Sequence, residues 1–150
     1  MIKIICIGKI KEKFYQEAIN EYKKRISKYT NIEIIELPDY SYDLKKTLLM
    51  EHNSILKVLN KSDYNILLDI SGNELDSISF AKRINDIQMN NSNITFIIGG
   101  SNGVMDELRD IVNYRLSFSK MTFPHQLFRI ILLEQIYRSF KIINNESYHK

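Results

Sequence analysis

The stretch Ile94-Thr95-Phe96-Ile97-Ile98-Gly99-Gly100-Ser101-Asn102-Gly103 decides how the rest of the chain is read. A short apolar, β-branched run of this kind suits a strand buried on both faces, and a glycine turn directly after it lets a ligand approach the backbone. Further on, Leu116-Ser117-Phe118-Ser119-Lys120-Met121-Thr122-Phe123-Pro124-His125 makes a second turn, unusually apolar, just ahead of a helix N-terminus. That helix carries Glu134-Gln135 and Tyr137-Arg138, and the basic, aromatic segment Tyr148-His149-Lys150 follows it. A glycine turn, a turn with free amides and a basic tail, in this order, point to a small-molecule site beside an anionic polymer.

Working outward, the same alternation fills the chain. Apolar runs at 2–7, 32–37 and 64–70 read as strands, with a shorter one near 114–118. Helical patterns lie between them over 12–29, 44–60, 77–89 and near 104–112, and a last helix runs from Pro124 to about 142. Phe14, Ala18, Tyr22 and Ile26 give the first helix its apolar stripe, widened by Tyr15, Ile19 and Tyr29. In the second, Leu48, Leu49, Ile55, Leu56 and Leu59 form the apolar side; in the third, Ile78, Ala81, Ile84 and Ile87 face inward. Asp43 and Ser77 are the expected N-caps. Five strand–helix repeats predict an α/β fold, a mostly parallel sheet with helices on both faces. No Gly/Ser/Pro-rich linker interrupts them, so residues 1–150 are read as one domain. Ligands of such sheets sit beyond the carboxyl ends of the strands, where Asp69-Ile70-Ser71-Gly72, Gly99 to Gly103 and Phe118 to Phe123 gather.

Bulk properties bound the function. With 44% hydrophobic and 26% charged residues, the chain has the composition of a soluble globular protein. No apolar run is long enough for a bilayer, and the Ile2–Ile7 run is too short for a signal sequence. Cys6 is the sole cysteine, which excludes an internal disulfide and fits a reducing cytosol, hence a cytoplasmic protein. His52, His125 and His149 are widely separated, so no metal site is expected. The net charge of +3 is unevenly spread: residues 1–30 hold eight Lys/Arg against three Asp/Glu, residues 31–114 seven against thirteen, and residues 115–150 six against two. If the two basic ends meet in space they form a face suited to phosphates; otherwise they only solvate helices.

The familiar motifs are absent. Gly99–Gly103 lacks the G-x-G-x-x-G spacing of a dinucleotide site and the Lys-Ser/Thr ending of a Walker loop. No G-x-S-x-G elbow accompanies His125. Arg138 with Glu134 also reads as a plain helix ion pair, and the 117–123 turn as a loop packed under helices.

In their order, these segments resemble the SPOUT-class methyltransferases, and within them the small RlmH family, which methylates N3 of a pseudouridine in large-subunit ribosomal RNA. The resemblance rests on Ile4-Ile5-Cys6-Ile7-Gly8-Lys9, Glu21-Tyr22, Leu68 to Gly72, Phe96 to Gly103, Leu116 to Leu127, Arg129, Glu134 to Arg138 and Tyr148-His149-Lys150. The loop after Pro38 is short compared with many members. The resemblance implies a C-terminal trefoil knot, a homodimer, and S-adenosylmethionine held bent in the knot loops. Carried over by residue, the cofactor contacts fall on Leu68, Gly99, Phe118, Ser119, Lys120, Met121, Thr122 and Phe123. The tail lies on the substrate side and reaches the partner subunit. Side-chain chemistry makes Arg138, Tyr148 and His149 the candidate catalytic residues: Arg138 and Tyr148, with Lys150, to hold phosphate or base, and His149 to accept the proton of the ring nitrogen. The expected partner is ribosomal RNA within the ribosome. The competing readings are a non-catalytic RNA- or nucleotide-binding module and, more weakly, a Rossmann-like oxidoreductase.

Overall fold

The computed structural model describes residues 1–150. Ten elements alternate: β1 (Ile2–Ile7), α1 (Lys13–Ile26), β2 (Ile32–Leu37), α2 (Leu44–Val58), β3 (Tyr64–Glu74), α3 (Ser77–Asn90), β4 (Ile94–Ile98), α4 (Asp106–Ile111), β5 (Tyr114–Ser117) and α5 (His125–Ile143). The five strands form one sheet in the order β2-β1-β4-β3-β5, and every pair is parallel. The expected mostly parallel α/β sheet is thus present and is parallel throughout.

Alternate side chains divide the core. Ile2, Ile4, Cys6, Ile66, Phe96, Ile98 and Leu116 face α1, α3 and α5 in the larger cluster. Ile5, Ile7, Leu67 and Ile97 face the other way, toward Ile55 of α2 and Leu108 of α4. Strands buried on both faces read as unbroken apolar runs, which is why β1 and β4 have the bounds the sequence indicates; β2, an edge strand with no buried residue, keeps its bounds through its isoleucines and the stop at Pro38.

Several local expectations shift. Asp76, not Ser77, caps α3, its carboxylate accepting from the Ser79 amide at 2.7 Å. Ser77 is freed to donate to Gln135 Oε1 at 2.8 Å, tying α3 to α5. Asp43 caps α2 as expected. Phe14 is 64% exposed and Ile78 60% exposed, so neither faces inward. On α2 the buried residues are Thr47, Glu51, His52 and Ile55, while Leu49 and Leu56 are exposed. The helix turns a partly polar side to the sheet, and the reason lies in the site below.

β3 runs to Glu74 rather than 70, with an excursion. Leu68 and Asn73 both align with Leu116 of β5, so residues 69–72 loop out between them. Pairing of β3 with β4 ends at Leu67 and Ile97. The two strands part at their carboxyl ends, and a cleft opens there.

Candidate functional site

The cleft is a cavity of about 280 Å³ walled by the ends of β3 and β4, the 99–104 turn and the 116–123 segment. Leu68, Gly99, Phe118, Ser119, Met121, Thr122 and Phe123 line it, so seven of the eight residues expected to hold a cofactor come together. Lys120 is exposed and outside the lining.

Each wall has a local cause. Gly103 donates its amide to Gly100 O at 3.1 Å and adopts φ +79°, which closes the 100–103 turn. A Cβ on Gly99 would lie 2.6 Å from Val104 Cγ1 and 3.2 Å from Gly103 O, so the glycine permits the turn to fold back on itself. The space before Gly99 is therefore occupied by Val104, whereas the sequence suggested open ligand space. The 117–121 turn is held by Ser117 Oγ donating to Ser119 O and by the Met121 amide donating to Ser119 Oγ, both at 3.0 Å. The amides of Ser119, Lys120, Thr122 and Phe123 make no hydrogen bond within the chain. Phe118 also packs against Phe80 and Phe128, so the turn is both part of the core and a wall of the cavity.

At the polar end of the cavity, Asp69 and Ser71 lie at the strand's carboxyl end as the sequence indicated, whereas Arg109 was not singled out. Asp69 is buried and accepts from Arg109 Nε at 2.9 Å, from the Ser71 hydroxyl at 2.9 Å and from the Ser71 amide at 3.1 Å. Burial pushes its carboxyl up, but the Ser71 bonds and Arg109 more than offset this and hold it below the usual range. Arg109 Nη1 also donates to Val104 O at 3.1 Å, so one guanidinium braces the β3 excursion against the glycine turn.

A second, smaller cavity of about 180 Å³ adjoins the first and shares Gly100, Ser101 and His125 with it. Its lining also includes Glu51, Arg129, Lys9, Lys11, Tyr40 and Gln126, with the carboxylates Glu12 and Asp39. Arg129 is 2% exposed and is fixed by Nη1 donating to Glu36 Oε2 at 2.7 Å and Nη2 to Gly8 O at 3.1 Å. Glu51 is 5% exposed, and burial raises its carboxyl above the usual range. From sequence Arg129 entered only as part of the resemblance, and Glu51 was not singled out.

The remaining candidates lie elsewhere. Arg138, Tyr148 and His149 sit together on the far half of α5, about 20 Å along the helix from His125 at 1.5 Å rise per residue. The tail is not frayed, although a polar chain end of this kind usually is. Tyr148 donates to Glu134 Oε1 at 3.1 Å, and its ring meets Tyr137 edge-on at 4.9 Å and carries Arg138 at 4.8 Å. Arg138 in turn pairs with Glu134 at 2.7 Å. These three line neither cavity.

The two basic ends do meet, because α1 packs on α5. Arg25, Arg129, Arg138 and Lys141 are consumed in ion pairs, but Lys9, Lys11, Lys120 and Lys150 are exposed and make none. No group of three metal-ligating side chains exists, and no helix is long and apolar enough to cross a membrane.

A family model described as "Predicted SPOUT methyltransferase" matches residues 1–149. The chain belongs to the SPOUT methyltransferase family. Its similarity to individual SPOUT members extends end to end. A Methanococcus maripaludis protein named "Putative ribosomal RNA large subunit methyltransferase H" is 54% identical over 157 aligned positions, 99% of either chain. The "Ribosomal RNA large subunit methyltransferase H" of Clostridium perfringens is 48% identical over 157 positions, again 99% of each. The protein of that name from Caldicellulosiruptor saccharolyticus is 45% identical over 154 positions and the full length of both. The resemblance drawn from the sequence therefore holds at the level of the family, and this SPOUT chain is an enzyme of the methyltransferase class.

Proposed function

We propose that this SPOUT enzyme transfers a methyl group from S-adenosylmethionine to N3 of a pseudouridine in large-subunit ribosomal RNA. It acts on the ribosome, in the cytoplasm, as a homodimer in which residues 1–150 are one knotted domain. The observation that carries this reading is the cleft between the parted ends of β3 and β4. It combines apolar walls with four unbonded amides in 119–123, in a chain whose relatives are named for ribosomal RNA methylation.

The residues present fit the cofactor. An adenine ring needs apolar faces and edge hydrogen bonds, which Leu68, Leu116 and Phe118 and the free amides supply. Ribose hydroxyls need an acceptor, and Asp69 is at the polar end. The bound sulfonium supplies an already activated methyl group, so the protein's task is chiefly to orient the attack and exclude water. Lys120 stands outside the lining and acts, in this reading, as a cation at the cleft's mouth.

Arg138, Tyr148 and His149 serve the substrate side from the partner subunit, since one protomer's tail is remote from its own cleft. Arg138 Nη1 lies 3.0 Å from His149 Nδ1, and a guanidinium only donates, so the neutral ring carries its hydrogen on Nε2. His149 then offers a donor to base or phosphate, and the proton of N3 needs another acceptor.

Mass spectrometry of ribosomal RNA from cells with and without the gene tests the reading. One methylated pseudouridine in the large subunit disappears if it holds; an unchanged pattern rejects it. Calorimetry with S-adenosylmethionine and with NAD separates it from a binding module and from an oxidoreductase.

A further inference from the structure

The larger cavity contains a side-chain cation with a donor to spare. Asp69 is the only carboxylate in its lining and Arg109 the only Lys or Arg; His125 is the one other titratable side chain there. Arg109 joins two walls at the polar end. Its Nε donates to Asp69 Oδ2 at 2.9 Å, on the β3 excursion, and its Nη1 to Val104 O at 3.1 Å, on the glycine turn. Nη1 also donates to Asp106 Oδ1 at 2.8 Å, a carboxylate whose side chain is 89% exposed. Nη2 makes no hydrogen bond within the chain. Unlike the unpartnered Nε of Arg129 it is not buried, so a ligand can reach it.

Three bonds fix the guanidinium plane, so its open edge is aimed before anything binds and costs a ligand little to order. The acid beside it is already fully used. Asp69 Oδ1 accepts from the Ser71 amide and hydroxyl, and Oδ2 is shared by Arg109 and by Arg115 Nη1 at 3.5 Å. One buried carboxylate thus answers two guanidiniums, while the charge of Asp106 is screened by water. A guanidinium edge held in this way suits a carboxylate or a phosphate. The lining also divides the cofactor. Leu116, Phe118 and the free amides suit its adenine and Asp69 its ribose. What remains is the amino-acid end, and that end carries a carboxylate.

We propose that Arg109 anchors the amino-acid carboxylate of the methyl donor through Nη2, so that one guanidinium ties the β3 excursion, the glycine turn and the cofactor's head together. This rests on the methyltransferase reading above and assigns one end of its cofactor. The contact is to a part of the cofactor that methyl transfer leaves unchanged. Arg109 therefore holds the spent cofactor as well as the fresh one, and its role can be read from binding alone.

The test is calorimetry on the full-length protein with S-adenosylhomocysteine and with its decarboxylated analogue, which lacks only the carboxylate. The wild type should bind S-adenosylhomocysteine about ten-fold or more tightly than the analogue, the scale of one charge-assisted hydrogen bond. In Arg109→Gln that preference should shrink to about two-fold or less, since a general loosening of the cleft weakens both ligands alike and cancels in the ratio. Arg115→Gln should keep the preference, because Arg115 touches Asp69 but lies outside the lining. Equal affinity for the two ligands in the wild type overturns the proposal. So does an undiminished preference in Arg109→Gln, or an equal loss of it in Arg115→Gln. If Arg109→Gln does not fold, Arg109→Lys decides. A lysine's single nitrogen cannot hold both walls and a ligand in one plane, so the preference should fall several-fold, and its full retention overturns the anchor. Wild-type protein that binds neither ligand refutes the cofactor reading instead.

Discussion

Tyr148 Oη donates to Glu134 Oε1 at 3.1 Å, the carboxylate that also holds Arg138. The tail is thereby docked on α5 in a fixed arrangement, with the Arg138 guanidinium, the Tyr148 phenol and the His149 imidazole side by side.

Removal of residues 148–150 should leave S-adenosylmethionine affinity within about two-fold, because none of the three lines the cleft. Single-turnover methylation should drop at least about 10²-fold. The docking contacts add a structural cost of about 1 kcal/mol, seen as a small fall in Tm. Calorimetry, single-turnover kinetics and melting check the three parts separately, and a wild-type rate removes the tail from the substrate side.

Gly99→Ala places a methyl 2.6 Å from Val104 Cγ1. Overpacking of this kind costs about 1–3 kcal/mol and should loosen the turn that walls the cleft. Val104→Ala in the same chain should restore part of the lost stability. A double-mutant cycle by denaturant unfolding measures the coupling, and additivity would show that the two side chains do not compete for one space.

Acid should weaken the fold through Asp63, which accepts from Lys3, Asn93 and Thr95, each at 3.1 Å, at the amino ends of β1, β3 and β4. Burial raises its carboxyl, yet Asn93, Lys3 and Thr95 together hold it below the usual range. A depressed acid contributes stability that is present above its unfolded value, about 3.9, and is lost as pH falls below that value. Thermal melts of the wild type should therefore fall steeply below about pH 4, and Asp63→Asn should flatten that limb while lowering Tm at neutral pH.

Glu51 carries the opposite sign. Its carboxyl is raised, so the fold favours the protonated form and loses stability as pH climbs from about 4.3 through the raised value. Glu51→Gln should accordingly raise Tm at pH 7 and change it little at pH 4. A lower Tm at pH 7 would mean that the ionised carboxyl is a net stabiliser.

Sedimentation should give a dimer at micromolar concentration. Part of the apolar stripes of α1 and α5 is used within the protomer, but Leu127 is 36% exposed and Ile130 and Ile131 are only half-buried. A monomer would leave the tail with no cleft to serve.

β1 and β4 were legible because buried parallel strands announce themselves as apolar runs, and the edge strand β2 because its β-branched residues end at Pro38. Helix faces were less so. Phe14, Ala18, Tyr22 and Ile26 are four apart, and each such step drifts about 40° around a 3.6-residue helix. Three steps put Phe14 about 120° from Ile26, which is why one is exposed and the other buried. Ser77 and Asp76 are both good caps, and nothing local chooses between them. Leu68 was reachable only through the ordered resemblance of whole segments, whereas the apolar 118–123 turn also stood out by its own composition ahead of a helix. Glu51 was hidden, and Arg129 was visible only within the resemblance, because a charge on an amphipathic helix normally faces water. Only the backbone of Gly100 and the clamp of Glu36 and Gly8 O reveal that these two face inward.

The strand order also fixes a sequence of events during synthesis. β1 is the first strand to leave the ribosome, and β2 soon covers one of its edges. Its other edge waits for β4, so an isoleucine-rich strand has an unpaired flank until Ile94–Ile98 has been made. Pairing between strands so distant in the chain forms slowly, and an open flank invites other chains. The nascent protein should then be most prone to aggregate before β4 emerges. Truncations ending near residue 90 should be far less soluble on expression than those that include Ile98, although they carry fewer apolar residues.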